Sequence, residues 1–276
     1  MNQFLLLLSL GTFLLSCQTS NQTNDGEPSV QQVMAEIDSL VPTEAFMPSN
    51  DTIPVSFLLG QFDPAKHANF ARIADAHSAG SARGAYLNKE AYRAFVDMYD
   101  AAKADGVRLT IRSATRNFYR QQQIWEAKWN GKRKQNGEIL TQTTPDPVER
   151  ARKILATSSM PGTSRHHWGT DIDINAFENS YFKSGQGKVE YDWLVAHAHE
   201  HGFGQPYTEK GPSPLRETGY EEERWHWSYL PLARQYLADY EQQVKVEMIS
   251  GFDGAQTAKE INVIENYVSG ISPDCK

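Results

Sequence analysis

The chain has 276 residues, enough to bury a core around one main domain of about 200 residues with appendages. A formal net charge of -7 and a pI near 5.6 argue against nucleic acid as a partner, because no basic field exists to neutralise phosphates. The one local basic stretch, Lys128, Lys132, Arg133 and Lys134, reads as a solvated loop.

Residues 1–16 are apolar and uncharged, and no Lys or Arg precedes the apolar run Phe4–Leu15. That run is too short to span a bilayer but fits the core of an export signal. It ends in Leu14-Leu15-Ser16-Cys17, which resembles the lipobox of bacterial lipoproteins. On this reading residues 1–16 are a lipoprotein signal peptide and Cys17 is lipidated. The protein is then exported to the bacterial cell envelope, facing the periplasm or on the outer membrane, and meets the membrane by its lipid anchor only. The competing reading is an ordinary secretory signal with an incidental cysteine. Residues 17–50 are rich in Ser, Thr, Asn, Gln, Glu and Pro and read as a tether, with a short helix over Val30–Leu40. Cys17 and Cys275 are the only cysteines, so acylation of Cys17 leaves Cys275 a free thiol and rules out a disulfide framework.

The folded domain is expected over residues 51–247, starting near Ile53. Asn88 caps a helix with Tyr92, Phe95, Tyr99 and Ala102 on its apolar face, and Gly106 ends it. Val107, Leu109 and Ile111 alternate with polar residues as a half-buried strand that delivers Ser113-Ala114-Thr115-Arg116 to its end. A second helix carries Gln121, Ile124, Trp125 and Trp129 and stops near Gly131. After a turn-rich stretch, Pro147 suits the first turn of a helix running to about Thr157. From Thr170 to Asn175, Asp171, Asp173 and Asn175 share one strand face, with Ile172 and Ile174 on the other. Tyr191–His201 reads as a helix with Gly202 just past its end, Arg224–Tyr229 as a strand, and Pro231–Val246 as a helix. Residues 248–276 are weakly patterned and read as a C-terminal extension. The order of elements indicates an α+β fold with a small antiparallel sheet flanked by helices.

Two separated pieces carry the chemistry: Ser164-Arg165-His166-His167-Trp168-Gly169-Thr170-Asp171-Ile172-Asp173 and Glu223-Arg224-Trp225-His226. They supply imidazoles, a carboxylate and a spare glutamate, which are the components of a catalytic zinc site with one open position for water. Gly169 permits the turn that lets His166 and Asp173 converge. His226 then completes the triad, and Glu223 lies near enough to act as a base. His and Asp seven residues apart are a weak signal taken alone. A second cluster, His197, His199 and His201, has Ala198 where a zincin helix needs glutamate, and reads as a solvated helix end.

Ser-x-His-x-x-Gly-x-x-x-Asp followed by Glu-x-Trp-His resembles the signature of the zinc D-alanyl-D-alanine carboxypeptidases, the VanY-like metallopeptidases of bacterial cell walls. Ser113-Ala114-Thr115-Arg116-Asn117-Phe118 with Gln121 resembles a third motif of that family, and the likeness runs from about Ser113 to Tyr229. The resemblance implies a Hedgehog/D,D-peptidase-like zinc peptidase fold, with His166, Asp173 and His226 holding Zn2+. It implies Glu223 as general base, Arg116 as the residue that holds substrate oxygens and stabilises the oxyanion, and Gln121 and Ser164 as pocket lining. The implied activity is hydrolysis of the terminal D-alanine amide bond of peptidoglycan stem peptides by zinc-bound water activated by Glu223. An L,D-carboxypeptidase, a D,D-dipeptidase or an endopeptidase of the same fold stays open, as does a non-catalytic, zinc-stabilised cell-wall binding protein. Trp225 is expected to pack beside the metal. The chain departs from the family where Ala114 and Thr115 replace Gly-Tyr, and where Asp171 replaces a small residue. Asp171 lies on the face of Asp173, so it is a candidate either to orient a histidine ligand or to bind the ion itself. His167 competes with His166 for the ligand role.

Overall fold

The computed structural model describes residues 53–212 and 215–276. Residues 1–16, read as a signal peptide, Cys17, and residues 17–50, read as a tether with a short helix, lie outside the described residues. Among the described residues no helix is long and apolar enough to cross a membrane.

Among the described residues, two antiparallel sheets and five helices of nine or more residues make up the α+β architecture. Strands β1 (Phe70–Arg72) and β2 (Tyr86–Asn88) pair with each other. Helix α1 (Lys89–Ala104) begins where Asn88 accepts the Glu90 backbone N–H at 2.9 Å, the capping bond that its residue type predicts. Its buried face carries Ala91, Tyr92, Phe95, Met98 and Ala102. Strand β3 (Ile111–Ser113) follows, then α2 (Phe118–Trp129), capped by Asn117, and α3 (Pro147–Leu155), capped by Asp146. Strand β4 (Asp171–Ile174), α4 (Gly185–His197), β5 (Phe203–Gly204), β6 (His226–Tyr229) and α5 (Leu230–Gln243) complete the set. The second sheet has the order β3-β4-β6-β5 and is antiparallel throughout.

That sheet divides chemistry from packing. Ile172, Ile174 and Trp227 join α1 and part of α4 in one apolar cluster. Strand alternation turns Asp171, Asp173, His226 and Ser228 to the opposite face. There a second cluster gathers Trp125 and Trp129 of α2, Ile154 and Leu155 of α3, and Tyr236 and Tyr240 of α5.

Several elements differ from the sequence reading for local reasons. Strand β3 starts at Ile111, not Val107. Asn175 adopts φ +63°, ends β4, and uses its own side chain to bond the Thr110 N–H and the Arg108 carbonyl where ladder bonds would otherwise form. Helix α4 starts at Gly185, six residues before Tyr191. Gly187 lies in its first turn because a Cβ there would come within 2.1 Å of the Tyr181 carbonyl oxygen. After His197 the helix tightens to a 3-10 turn, Ala198–His201. Lys128 is not in a solvated loop: it is buried on α2, sharing the face of Gln121 and Trp125. Residues from 248 onward, read as an extension, add Ile249, Phe252, Ile261, Val263, Val268 and Ile271 to the second cluster. Cys275 is a free, buried thiol whose pKa burial pushes up to about 11.

Candidate active site

Strand register builds the centre. Asp173 on β4 lies directly opposite His226 on β6, and Ser113 on β3 lies opposite Asp173 from the other side. His166 arrives from a 3-10 turn, Arg165–Trp168, held by Trp168 Nε1 donating to the Leu58 carbonyl at 3.1 Å and by the Arg116 N–H donating to the His166 carbonyl at 3.1 Å. Gly169 ends that turn at φ +71°, and an added Cβ would stand 2.3 Å from Phe70 Cε1, so glycine satisfies both backbone and space.

One ligand atom each from His166, Asp173 and His226 lies within 4.8 Å of the others. All three residues are buried. His166 Nε2 is 3.4 Å from Asp173 Oδ2, and His226 Nδ1 is 3.2 Å from Asp173 Oδ1. The outer nitrogen of each ring is engaged elsewhere. His166 Nδ1 lies 2.9 Å from the Ala114 carbonyl oxygen, which can only accept, and His226 Nε2 lies 2.9 Å from Asp171 Oδ1. These bonds leave His166 Nε2 and His226 Nδ1 facing inward, toward Asp173. His166 Nε2 and Asp173 Oδ1 have no hydrogen-bond partner among the described residues. Buried, orphaned donor atoms of this chemistry fit a divalent cation such as zinc.

The electrostatics agree with that fit. Burial opposes charge on His226, but the carboxylates of Asp171, Asp173 and Glu223 outweigh it and hold the ring well above its usual pKa. Burial likewise opposes ionisation of Asp173, and the histidines His166 and His226 reverse it, keeping its carboxyl well below the usual range. Three carboxylates around two imidazoles make a centre that attracts positive charge. Glu223 Oε2 is 3.5 Å from His226 Nδ1, and burial raises its pKa.

Arg116 lies beyond the end of β3 with Nη1 3.0 Å from Ser113 Oγ and 3.7 Å from Asp173 Oδ2, and it is part-exposed. Gln121 is buried, its Nε2 donates to the Ser159 carbonyl at 2.8 Å, and its Oε1 has no partner among the described residues. Ser164 Oγ is also buried without such a partner. His167 points away from the centre: Gly162 N–H donates to its Nε2 at 3.0 Å and its Nδ1 lies 2.6 Å from the Arg116 carbonyl, so both nitrogens are used. His197 sits at the surface near Glu200 at 3.4 Å, and no cluster of described histidines and carboxylates apart from His166, Asp173 and His226 converges for a metal.

Sequence reasoning missed two neighbours of the site. The aromatic ring beside His226 belongs to Tyr207, 4.6 Å between centroids, whereas Trp225 is half-buried and its carbonyl accepts from the Ile174 N–H. Tyr207 lies in a segment without periodicity, so nothing marked it. Lys128 donates to Ser158 Oγ at 2.6 Å, and burial lowers its pKa to about 8. Its spacing from Gln121 and Trp125 on one helix face was a usable signal.

Residues 84–232 match the VanY family, described as D-alanyl-D-alanine carboxypeptidase. That match covers more than half of the chain, and the chain belongs to this family. A D-alanyl-D-alanine carboxypeptidase of Enterococcus faecalis is 32% identical over 134 residues, 49% of this chain and 44% of the relative. The chain thus aligns with less than half of that relative's length. A solved structure of VanYB in complex with D-alanine-D-alanine is 26% identical, covers 60% of this chain and 82% of its own, and has a TM-score of 0.40. A vancomycin-resistance D,D-pentapeptidase, VanY, in complex with Zn(II) is 26% identical, covers 64% and 90%, and has a TM-score of 0.42.

Proposed function

We propose that this protein is a zinc-dependent carboxypeptidase that hydrolyses the amide bond before the terminal D-alanine of peptidoglycan stem peptides. The observation that carries the reading is the convergence of His166 Nε2, Asp173 and His226 Nδ1, with both histidines oriented from behind and Glu223 alongside. Those three residues would hold the metal. When bound, zinc supplies a Lewis acid that polarises a carbonyl and brings the pKa of water to about 7.

The remaining chemistry belongs to the chain. Glu223 accepts the proton of the attacking water, and its buried carboxyl retains that proton long enough to pass it to the departing amine. Arg116 is held at one guanidinium nitrogen, Nη1 donating to Ser113 Oγ, and its remaining N–H groups would stabilise the developing charge on the substrate oxygen. Gln121 Oε1 and Ser164 Oγ, both without partners among the described residues, are available to peptide groups of the substrate. The same reading places the enzyme in the bacterial cell envelope, tethered through an acylated Cys17.

Glu223→Gln tests the assignment. Loss of a general base lowers turnover by about 10²–10⁴-fold. Zinc content should be unchanged, and turnover within a few-fold of the parent would remove Glu223 from the mechanism.

A further inference from the structure

A buried ion pair stands directly behind the proposed metal centre. Asp171 is fully buried and both of its oxygens are engaged. Oδ1 accepts from Arg165 Nε at 3.0 Å and from His226 Nε2 at 2.9 Å, while Oδ2 accepts from Thr170 Oγ1 at 2.6 Å. Arg165 is equally enclosed: Nη2 donates to Ser228 Oγ at 2.7 Å, and its guanidinium carbon lies 5.0 Å from the centre of the Trp168 ring. Asp171 and Ser228 are partners in the β4–β6 register, two residue pairs along from Asp173 and His226 and on the same face. Both oxygens are engaged by these donors, and Asp171 is not among the converging residues His166, Asp173 and His226.

A buried ion pair is a poor way to gain stability, since apolar residues of similar volume usually serve as well or better. What this pair does supply is direction. We propose that Arg165 and Asp171 are positioning residues that lock His226 with Nε2 protonated and Nδ1 turned inward, so that the cation-binding donors are arranged before any cation arrives. Arg165 and Thr170 hold the carboxylate, the carboxylate holds the imidazole, and its negative charge makes the inward nitrogen a better donor. The inference rests on the reading of His166, Asp173 and His226 as ligands.

The test separates orientation from packing. In Arg165→Met/Asp171→Leu both charges are replaced by apolar side chains, and metal-free stability in urea should match or exceed that of the parent. Zinc affinity, measured by competition with a chromogenic chelator, should fall about 10- to 100-fold. The milder Thr170→Val removes only the bond to Oδ2 and should weaken zinc a few-fold. Ring nitrogen shifts of zinc-loaded protein should show a single His226 form in the parent, Nδ1 metal-bound and Nε2 protonated, and mixed forms in the double variant. If the parent binds zinc and both variants bind it equally well, the positioning role is wrong. If the parent itself binds no zinc, the ligand assignment has failed, and the inference with it.

Discussion

His167 should make the fold acid-sensitive in a way that can be isolated. Its ring is fully buried, accepts the Gly162 N–H at Nε2 and faces the Arg116 carbonyl with Nδ1, so only the neutral ring fits. Burial lowers its pKa from 6.5 to about 3. Between those values the unfolded chain binds a proton that the folded chain does not, so stability rises with pH and is lost as pH falls. At pH 4.5, two units below the unfolded pKa and above the folded one, the loss is about 2.7 kcal/mol at about 1.36 kcal/mol per unit. Gln at position 167 can accept from Gly162 and donate to Arg116 but has no proton to gain. Urea unfolding of metal-free parent and His167→Gln at pH 7.5 and 4.5 measures the difference, because the shared carboxylates cancel. The parent should lose about 2–3 kcal/mol more than the variant. Parallel pH profiles would refute the buried neutral histidine.

Gly169→Ala should cost about 2–4 kcal/mol in chemical denaturation, combining left-handed backbone strain with the collision against Phe70; a change under about 0.5 kcal/mol would show that the turn relaxes freely. Deleting residues 248–276 removes Ile249, Phe252, Ile261, Val263, Val268 and Ile271 from the core. At about 1.5–3 kcal/mol per buried side chain the loss, about 9–18 kcal/mol, is as large as the usual net stability of a domain, about 5–15 kcal/mol. The truncated protein should therefore be unfolded by circular dichroism and rapidly proteolysed, and a cooperative melt near that of the parent would contradict it.

What the sequence made legible follows from local rules. Asn88 announced its helix by capping chemistry, and the alternation from Asp171 to Asn175 placed the two aspartates on one face. His166, Asp173 and His226 were singled out by the two motifs and their family resemblance, since their spacing alone is a weak signal, and the fold brings one ligand atom of each within 4.8 Å of the others. The hidden parts depend on tertiary contacts. Arg165 looked like any charged residue until β6 placed Ser228 and His226 around Asp171. Gly185 and Gly187 weakened the helical pattern, Gly185 because it adopts φ +57° and Gly187 because packing against Tyr181 demands a small residue. The last 29 residues lack periodicity because short turns, not a long helix, deliver their apolar side chains to the core.

The most direct measurement is mass spectrometry of a synthetic stem pentapeptide ending in D-Ala-D-Ala, incubated with the purified protein, with chelator, and with chelator followed by zinc. The account predicts loss of a single D-alanine that chelation abolishes and zinc restores, with the corresponding tetrapeptide left intact. Cleavage that persists at full rate in chelator, or a pentapeptide untouched by zinc-loaded protein, would contradict it.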